Sequence, residues 1–509
     1  MQTIDELARE FLAKNTHDSS HVLLSTRQKA WYACVATAAV WLLAYRWDVF
    51  VILFSCLSAS AYLAVAIFKL WCVLLGMKKP PGAVLAGESA DRIPDEALPL
   101  YTILVPLYKE AAVLPHLTRN LLNLDYPTEK LDIKLLLEED DPETVNAARA
   151  LNLPECFELI VLPDAQPKTK PKACNHGLKA ARGSYVVIFD AEDRPEPDQL
   201  RKVLASFKNA PSDVICMQCR LYYYNATRNW LTRCFAVEYA TWFNFYLEGL
   251  QHMRVPMPLG GTSNHFKTEV LREIGGWDPF NVTEDCDLGI RLYKRRYRTF
   301  TVHSTTWEEA TSQTGNWIRQ RSRWVKGYFQ TYFTHMRHPW QTFRDLGPRG
   351  FCGFLLVVGG HSLLLVLNLV FWILALIYGV RLGQDYLAGR DLWEVIAGDN
   401  HAVRNAWKMI YQGPEEHWFL APLSVAFFVV SGALLFANLI FLGLGLAAVR
   451  TEQRRWLWPA ALTMPAYWVL ISIGAWKGFL QLFTRPFYWE KTRHGVDPDA
   501  NTPEELHHA

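Results

Sequence analysis

Four predominantly apolar runs divide this chain into unlike regions: Ala30 to Tyr45, Val49 to Met77, Phe351 to Val380 and Phe419 to Val449. All but the first reach the roughly 20 residues needed to cross a bilayer as a helix. Lys69 is the one full charge inside them. Only Arg46-Trp47-Asp48 separates the first two runs, which predicts a transmembrane hairpin over 30–77. Single spans are predicted over 351–380 and 418–449. A fifth mostly apolar stretch, Trp456 to Phe483, is interrupted by Pro465. Arg450, Arg454 and Arg455 precede it, and Arg485, Lys491 and Arg493 follow it, so both ends are expected on one side of the membrane. This predicts an interfacial or re-entrant segment over 456–486. The first 29 residues carry mixed charge (Asp5, Glu6, Arg9, Glu10, Lys14) and lack the basic start of a cleaved signal, which predicts a cytoplasmic surface helix.

Over 98–315 the period changes. Short β-rich runs (Tyr101 to Val105, Ile133 to Leu137, Phe157 to Leu162, Tyr185 to Phe189, Val214 to Gln218) are separated by helical stretches. Such alternation predicts βαβ units around a mainly parallel sheet, with ligands beyond the carboxyl ends of its strands. Glu110, Glu138 and Asp190 fall just past such ends. A helix is predicted from Thr283 to about Arg296, and an amphipathic stretch, Trp317 to Met336, within an interfacial region over 316–345.

Charge sets the expected topology. Lys78 and Lys79 follow the hairpin and a basic cluster follows the fourth run, which places both sites, the central segment and the tail 487–509 in the cytoplasm. The loop 381–417 is richer in acids than bases, as suits the opposite side. A net charge of +2 leaves no nucleic-acid footprint. Of ten scattered cysteines, Cys216 and Cys219 form the one CxxC, without the second pair a zinc site needs. No Gly-x-Gly-x-x-Gly follows the first strand, so dinucleotide binding has little support.

The polar motifs between the apolar runs carry the chemistry. Asp190-Ala191-Glu192 puts two carboxylates at alternate positions where a strand ends, suited to Mg²⁺ or Mn²⁺; an acidic turn before Pro195 is the ordinary reading. Thr283-Glu284-Asp285 opens a helix, where acids commonly cap, or where Asp285 acts as a general base. Gln320-Arg321-Ser322-Arg323-Trp324 lies on the amphipathic stretch, as a membrane anchor or as a diphosphate and sugar site.

Together and in this order, these motifs resemble those of the processive family 2 glycosyltransferases: bacterial cellulose synthase catalytic subunits, hyaluronan synthases, and related glucan and mannan synthases. The resemblance runs from about Ile103 to Gly495, and no C-terminal cyclic-di-GMP sensor is expected. It implies an α/β GT-A (nucleotide-diphospho-sugar transferase) domain between transmembrane helices, and inversion at the anomeric carbon. Carried over by position, Glu110 and Glu138 contact the donor base and ribose, and Lys172 of Lys170-Pro171-Lys172 contacts phosphate. Asp190 and Glu192 hold Mg²⁺ or Mn²⁺, and Asp285, with Glu284 and Thr283, supplies catalysis. Gln320, Arg321 and Arg323 bind the diphosphate, and Trp324, Gly261 and Thr262 the acceptor. Trp489 to Gly495 is similar to a gating loop, with Thr492 and His494 reaching the donor. Three departures stand out: Glu192 replaces an Asp, Glu138-Glu139-Asp140-Asp141 replaces an Asp pair, and His494 replaces a Lys.

The implied activity is polymerisation of a hexose from UDP-glucose, or second GDP-mannose, with export of the glycan from a bacterial inner membrane and with a periplasmic export subunit as a partner. The alternatives are single transfer to a membrane lipid and a catalytically silent receptor or scaffold.

Overall fold

The computed structural model describes residues 4–78, 93–389, 420–450 and 452–492. His494 and most of the predicted loop 381–417 lie outside them. The strands are β1 (Tyr101–Leu107), β2 (Leu131–Glu138), β3 (Phe157–Leu162), β4 (Tyr185–Ile188), β5 (Arg194–Pro195), β6 (Val214–Tyr223), β7 (Asn264–Lys267) and β8 (Arg298–Glu308), in the order β3-β2-β1-β4-β7-β6-β8-β5. All five predicted strands are present. β1 pairs in parallel with β2 and β4, and β2 with β3. β7 runs antiparallel between β4 and β6, which makes the sheet mixed. It escapes sequence pattern because its residues, Asn264-His265-Phe266-Lys267, lack a β-branched run.

Period-2 alternation builds a core on each face of the sheet. Ile103, Val105, Leu135 and Leu137 pack under Leu114, Leu117 and Leu121. Their chain neighbours Leu104 and Leu136 pack on the other face with Leu178, Trp277 and Leu288. Both faces are therefore covered, as parallel strands require. The order of connections reverses between β1 and β4, and that switch point opens a crevice past their carboxyl ends.

Helices Thr26–Tyr45 and Trp47–Gly76 precede the sheet, and His361–Leu387, Leu420–Ala448 and Met464–Thr484 follow it. Among the described residues, three helices are long and apolar enough to cross a membrane, at Val49–Gly76, Pro339–Ile373 and Met464–Thr484. The hairpin docks on the sheet domain by backbone contact. A Cβ on Gly76 would lie 1.9 Å from the Phe245 carbonyl oxygen, and one on Gly249 1.9 Å from that of Cys72. Only glycine permits that approach.

In the fifth apolar stretch the chain breaks at Thr463, and Pro465 sits in the first turn of the 21-residue helix Met464–Thr484. This helix runs beside the interfacial helix Thr314–His335. Gly474 and Gly478 lie against Arg321 and Ser322, as in small-xxx-small packing. Both ends touch the sheet domain or its interfacial helix: Trp230 Nε1 donates to Thr463 Oγ1 at 2.8 Å, and Lys326 Nζ to the Tyr488 carbonyl at 2.7 Å. Cysteines introduced at Trp458 and Arg485 should therefore both react with an impermeant maleimide only after cells are permeabilised. Labelling of one in intact cells and not the other would show a single crossing.

Candidate active site

A cavity of about 630 Å³ fills the crevice beyond β1, β2, β4 and β8, and extends to Leu365 and Ile471 of the apolar helices. Its polar end holds Glu110, Glu138, Asp190 and Glu192; Glu284, Asp285 and Gly261 line its middle. Gln320, Arg323 and Trp324 face it from the interfacial helix, and Thr492 from the tail. Sequence positions nearly 400 apart thus converge on one space.

Glu138, the last residue of β2, accepts an ion pair from Lys172 Nζ at 2.8 Å. Lys172 is 1 % exposed and is not part of the cavity wall, so its expected contact with the donor is corrected. Lys170 faces the cavity instead. Its Nζ pairs with Asp190 and donates to the Gly261 carbonyl at 2.7 Å. Burial alone would lower the Lys170 pKa, but the charges of Asp190 and Glu284 outweigh it and hold the ammonium protonated. Both lysines open helix Lys170–Ala180, two residues and about 200° apart on a helix, so they point to opposite sides.

Asp190 and Glu192 offer hard oxygen ligands at alternate positions, and Lys170 places a cation on Asp190. That donor set fits Mg²⁺ or Mn²⁺. Among the described residues no three His, Cys, Asp or Glu side chains are grouped to hold a metal by themselves. A bound cation would therefore need oxygens from its ligand, as metals at diphosphates do. Asp193 is structural: it is fully buried, its Oδ2 accepts from the Asp190 backbone N–H at 2.7 Å, and it also accepts from the Thr262 hydroxyl. Thr262, itself fully buried, also donates to the Ile188 carbonyl and stands behind the wall. Its expected contact with an acceptor is corrected, whereas Gly261 keeps its place.

Glu284 and Asp285 begin helix Glu284–Lys294. Asp285 Oδ1 accepts from the Cys286 backbone N–H at 2.8 Å, while Oδ2 faces Gly261, where a Cβ would lie 3.3 Å away. Burial, and then the charge of Asp285, push the Glu284 carboxyl up to about 8. Burial raises the Asp285 carboxyl as well, against which the Cys286 N–H and the charges of Lys170 and Arg323 act. Thr283 fixes the approach of the interfacial helix, since a Cβ on Gly327 would lie 2.3 Å from its Oγ1.

On that helix the two arginines separate. Arg321 makes a two-pronged ion pair with Glu238, donates to the Tyr467 hydroxyl at 2.9 Å and lies 4.4 Å from the Phe235 ring centre and 4.5 Å from that of Trp324. Its charge is paired with a carboxylate, and both side chains line the cavity. Arg323 lies 4.6 Å over the Trp489 ring and faces the charges of Glu284, Asp285 and Asp190. Trp324 stacks at 6.5 Å on Tyr239 and forms an aromatic wall. Gln320 accepts from Thr311 at 3.2 Å.

The tail straps across the opening. Glu490 pairs with Lys477 at 2.7 Å, and Lys491 with Glu110 at 3.1 Å and with the Tyr108 carbonyl. Thr492 is 4 % exposed, and its hydroxyl has no partner among the described residues. Lys326, fully buried beneath the strap, is lowered to about 8 by that burial. Deleting residues after Tyr488 is expected to give a stable, membrane-inserted protein that retains ligand affinity and loses most turnover, because a lid completes its site on closing. Full turnover by the truncated protein would reduce the strap to an anchor.

Residues 99–327 match the model of the family described as "Glycosyltransferase like family 2". A beta-monoglucosyldiacylglycerol synthase of Trichormus variabilis is 28% identical over 248 residues, 47% of this chain and 51% of that protein. Glucomannan 4-beta-mannosyltransferase 1 of Oryza sativa subsp. japonica is 25% identical over 254 residues, 46% of this chain and 48% of that protein. The chain spans about half the length of the curated relatives it matches. A mannosyltransferase of Pyrobaculum calidifontis, solved in complex with GDP-Man and Mn²⁺, aligns over 76% of this chain and 99% of its own at 18% identity, with a TM-score of 0.44. The fold is a GT-A-like mixed sheet flanked by long apolar helices before and after.

Proposed function

We propose that the chain, whose residues 99–327 match the family 2 glycosyltransferase model, is an inverting membrane transferase that polymerises a hexose from a nucleotide sugar and passes the product into the membrane. One observation carries this reading: a single cavity joins the acids beyond the strands to the apolar helices, with the aromatic wall between. The donor lies with its diphosphate among Lys170, Arg323, Gln320 and Thr492, and its base toward Glu110 and Glu138. The acceptor sugar packs on Trp324. Asp285 Oδ2 takes the proton of the acceptor hydroxyl as its oxygen bonds to the anomeric carbon. The bond from that carbon to the diphosphate breaks, and the nucleoside diphosphate leaves with the electron pair. Attack from the face opposite the leaving group inverts the centre. Mg²⁺ or Mn²⁺ held by Asp190 and Glu192 would supply charge neutralisation of the leaving diphosphate. Closure of the strap excludes water that would otherwise compete with the acceptor. UDP-glucose is the favoured donor and GDP-mannose the second, with the catalytic domain in the cytoplasm of a bacterial inner membrane.

Chelation follows from the same arrangement. EDTA is expected to abolish transfer and added Mn²⁺ or Mg²⁺ to restore it, with Asp190→Ala weakening donor affinity. Full activity in chelator would remove the metal from this account.

The test of polymerisation is incubation of purified protein in lipid with a panel of radiolabelled nucleotide sugars, followed by sizing of the product. Long glycan supports the proposal. One sugar on a lipid would favour the second reading, for which the similarity to monoglucosyldiacylglycerol synthases speaks.

A further inference from the structure

β8 ends at Glu308, opposite Tyr223 of β6, and the Glu308 side chain lines the cavity. Of the other acids there, Asp190 is engaged by Lys170, Glu110 by Lys491 and Glu138 by Lys172. The Glu308 carboxylate makes no hydrogen bond or ion pair with any described residue, although its main-chain carbonyl accepts from the Tyr224 N–H at 3.2 Å. The side chain is part-exposed to the cavity, and what it meets there calls for an explanation.

Its position supplies one. On one side it senses the charges of Asp193, Glu192, Asp190 and Lys170, the end assigned to the diphosphate. On the other it is close enough to act on Tyr223 and Tyr239, and Tyr239 stacks on Trp324, the wall assigned to the acceptor. Between a diphosphate and an acceptor lies the sugar being transferred. Glu308 is not grouped with Asp190 and Glu192 closely enough to be a third metal ligand. A carboxyl group exchanges hydrogen bonds with adjacent hydroxyls.

We infer that Glu308 is a specificity-determining residue that holds hydroxyls of the transferred sugar. This rests on the transferase reading above. The test uses the full chain in lipid, the nucleotide hexose it turns over, and a series of donors each lacking one hydroxyl. Loss of one hydrogen bond predicts a fall in kcat/KM of about 2–10-fold when the recognised hydroxyl is removed. Glu308→Ala should show the same loss with the complete donor and no further loss with that one deoxy donor, while still discriminating at the other positions. Affinity for free nucleoside diphosphate and the metal concentration for half activity should be unchanged. Glu308→Gln, which preserves shape and hydrogen-bonding capacity, should recover much of the loss seen in Glu308→Ala with the complete donor. Equal losses with every donor, a raised metal requirement, or an unaffected complete donor would overturn the assignment. A wild-type protein that turns over no nucleotide sugar would instead overturn the transferase reading itself.

Discussion

Asp285→Asn is expected to lower sugar transfer by about 10²–10⁴-fold while nucleotide-sugar binding stays intact. The substitution keeps size and shape and removes only the ability to accept a proton. Asp285 Oδ1 is already committed to the Cys286 N–H, so the oxygen facing Gly261 is the one available to the acceptor. Its neighbour cannot take over, because Glu284 is pushed up to about 8 and holds its proton at neutral pH. Single-turnover transfer, measured beside calorimetric donor binding, separates the two effects. Turnover near wild type would assign the proton to another group.

Glu238→Ala is expected to destabilise the protein by about 3–5 kcal/mol, the cost of stranding a buried charge. The stranded partner is Arg321, 5 % exposed and enclosed by Phe235, Trp317 and Trp324. This pair ties helix Trp230–Thr241 of the sheet domain to the interfacial helix, and through Tyr467 to Met464–Thr484. Replacing both partners, as Glu238→Leu with Arg321→Met, should recover much of the loss, since the desolvation cost of both charges disappears. Thermal unfolding in detergent reads both variants. If Arg321→Met alone left stability unchanged and selectively weakened nucleoside diphosphate binding, Arg321 would be a donor ligand after all.

The sequence was most informative where chemistry follows from local geometry. Strand ends placed Glu110, Glu138 and Asp190, and the start of a helix placed Glu284 and Asp285; each is where its motif put it. It was least informative where direction around an axis decides. Lys170 and Lys172 differ by two helix positions, and only the packed helix shows that the first meets Asp190 and the second Glu138. Arg321 and Arg323 differ in the same way: both line the cavity, but one fork meets Glu238, 83 residues earlier in the chain, and the other lies over the Trp489 ring. Glu308 carried no signal at all, because β8 was not predicted and an acid pair after Trp307 looks like surface. Asp193 and Thr262 show the converse. Both lie in or beside recognised motifs, yet they bond each other behind the wall. Pairing across long sequence separations, rather than residue type, distinguishes a group that binds from one that supports.

The central claim is that this cavity moves a hexose from a nucleotide diphosphate to an acceptor hydroxyl with Asp285 as base. Purified protein in lipid, given a labelled nucleotide hexose, divalent metal and acceptor glycan, can be assayed for sugar incorporated and nucleoside diphosphate released in the same sample. The account predicts one sugar incorporated for each diphosphate released, with both quantities falling together in Asp285→Asn. Diphosphate release without incorporation, or incorporation that survives the substitution, would contradict it.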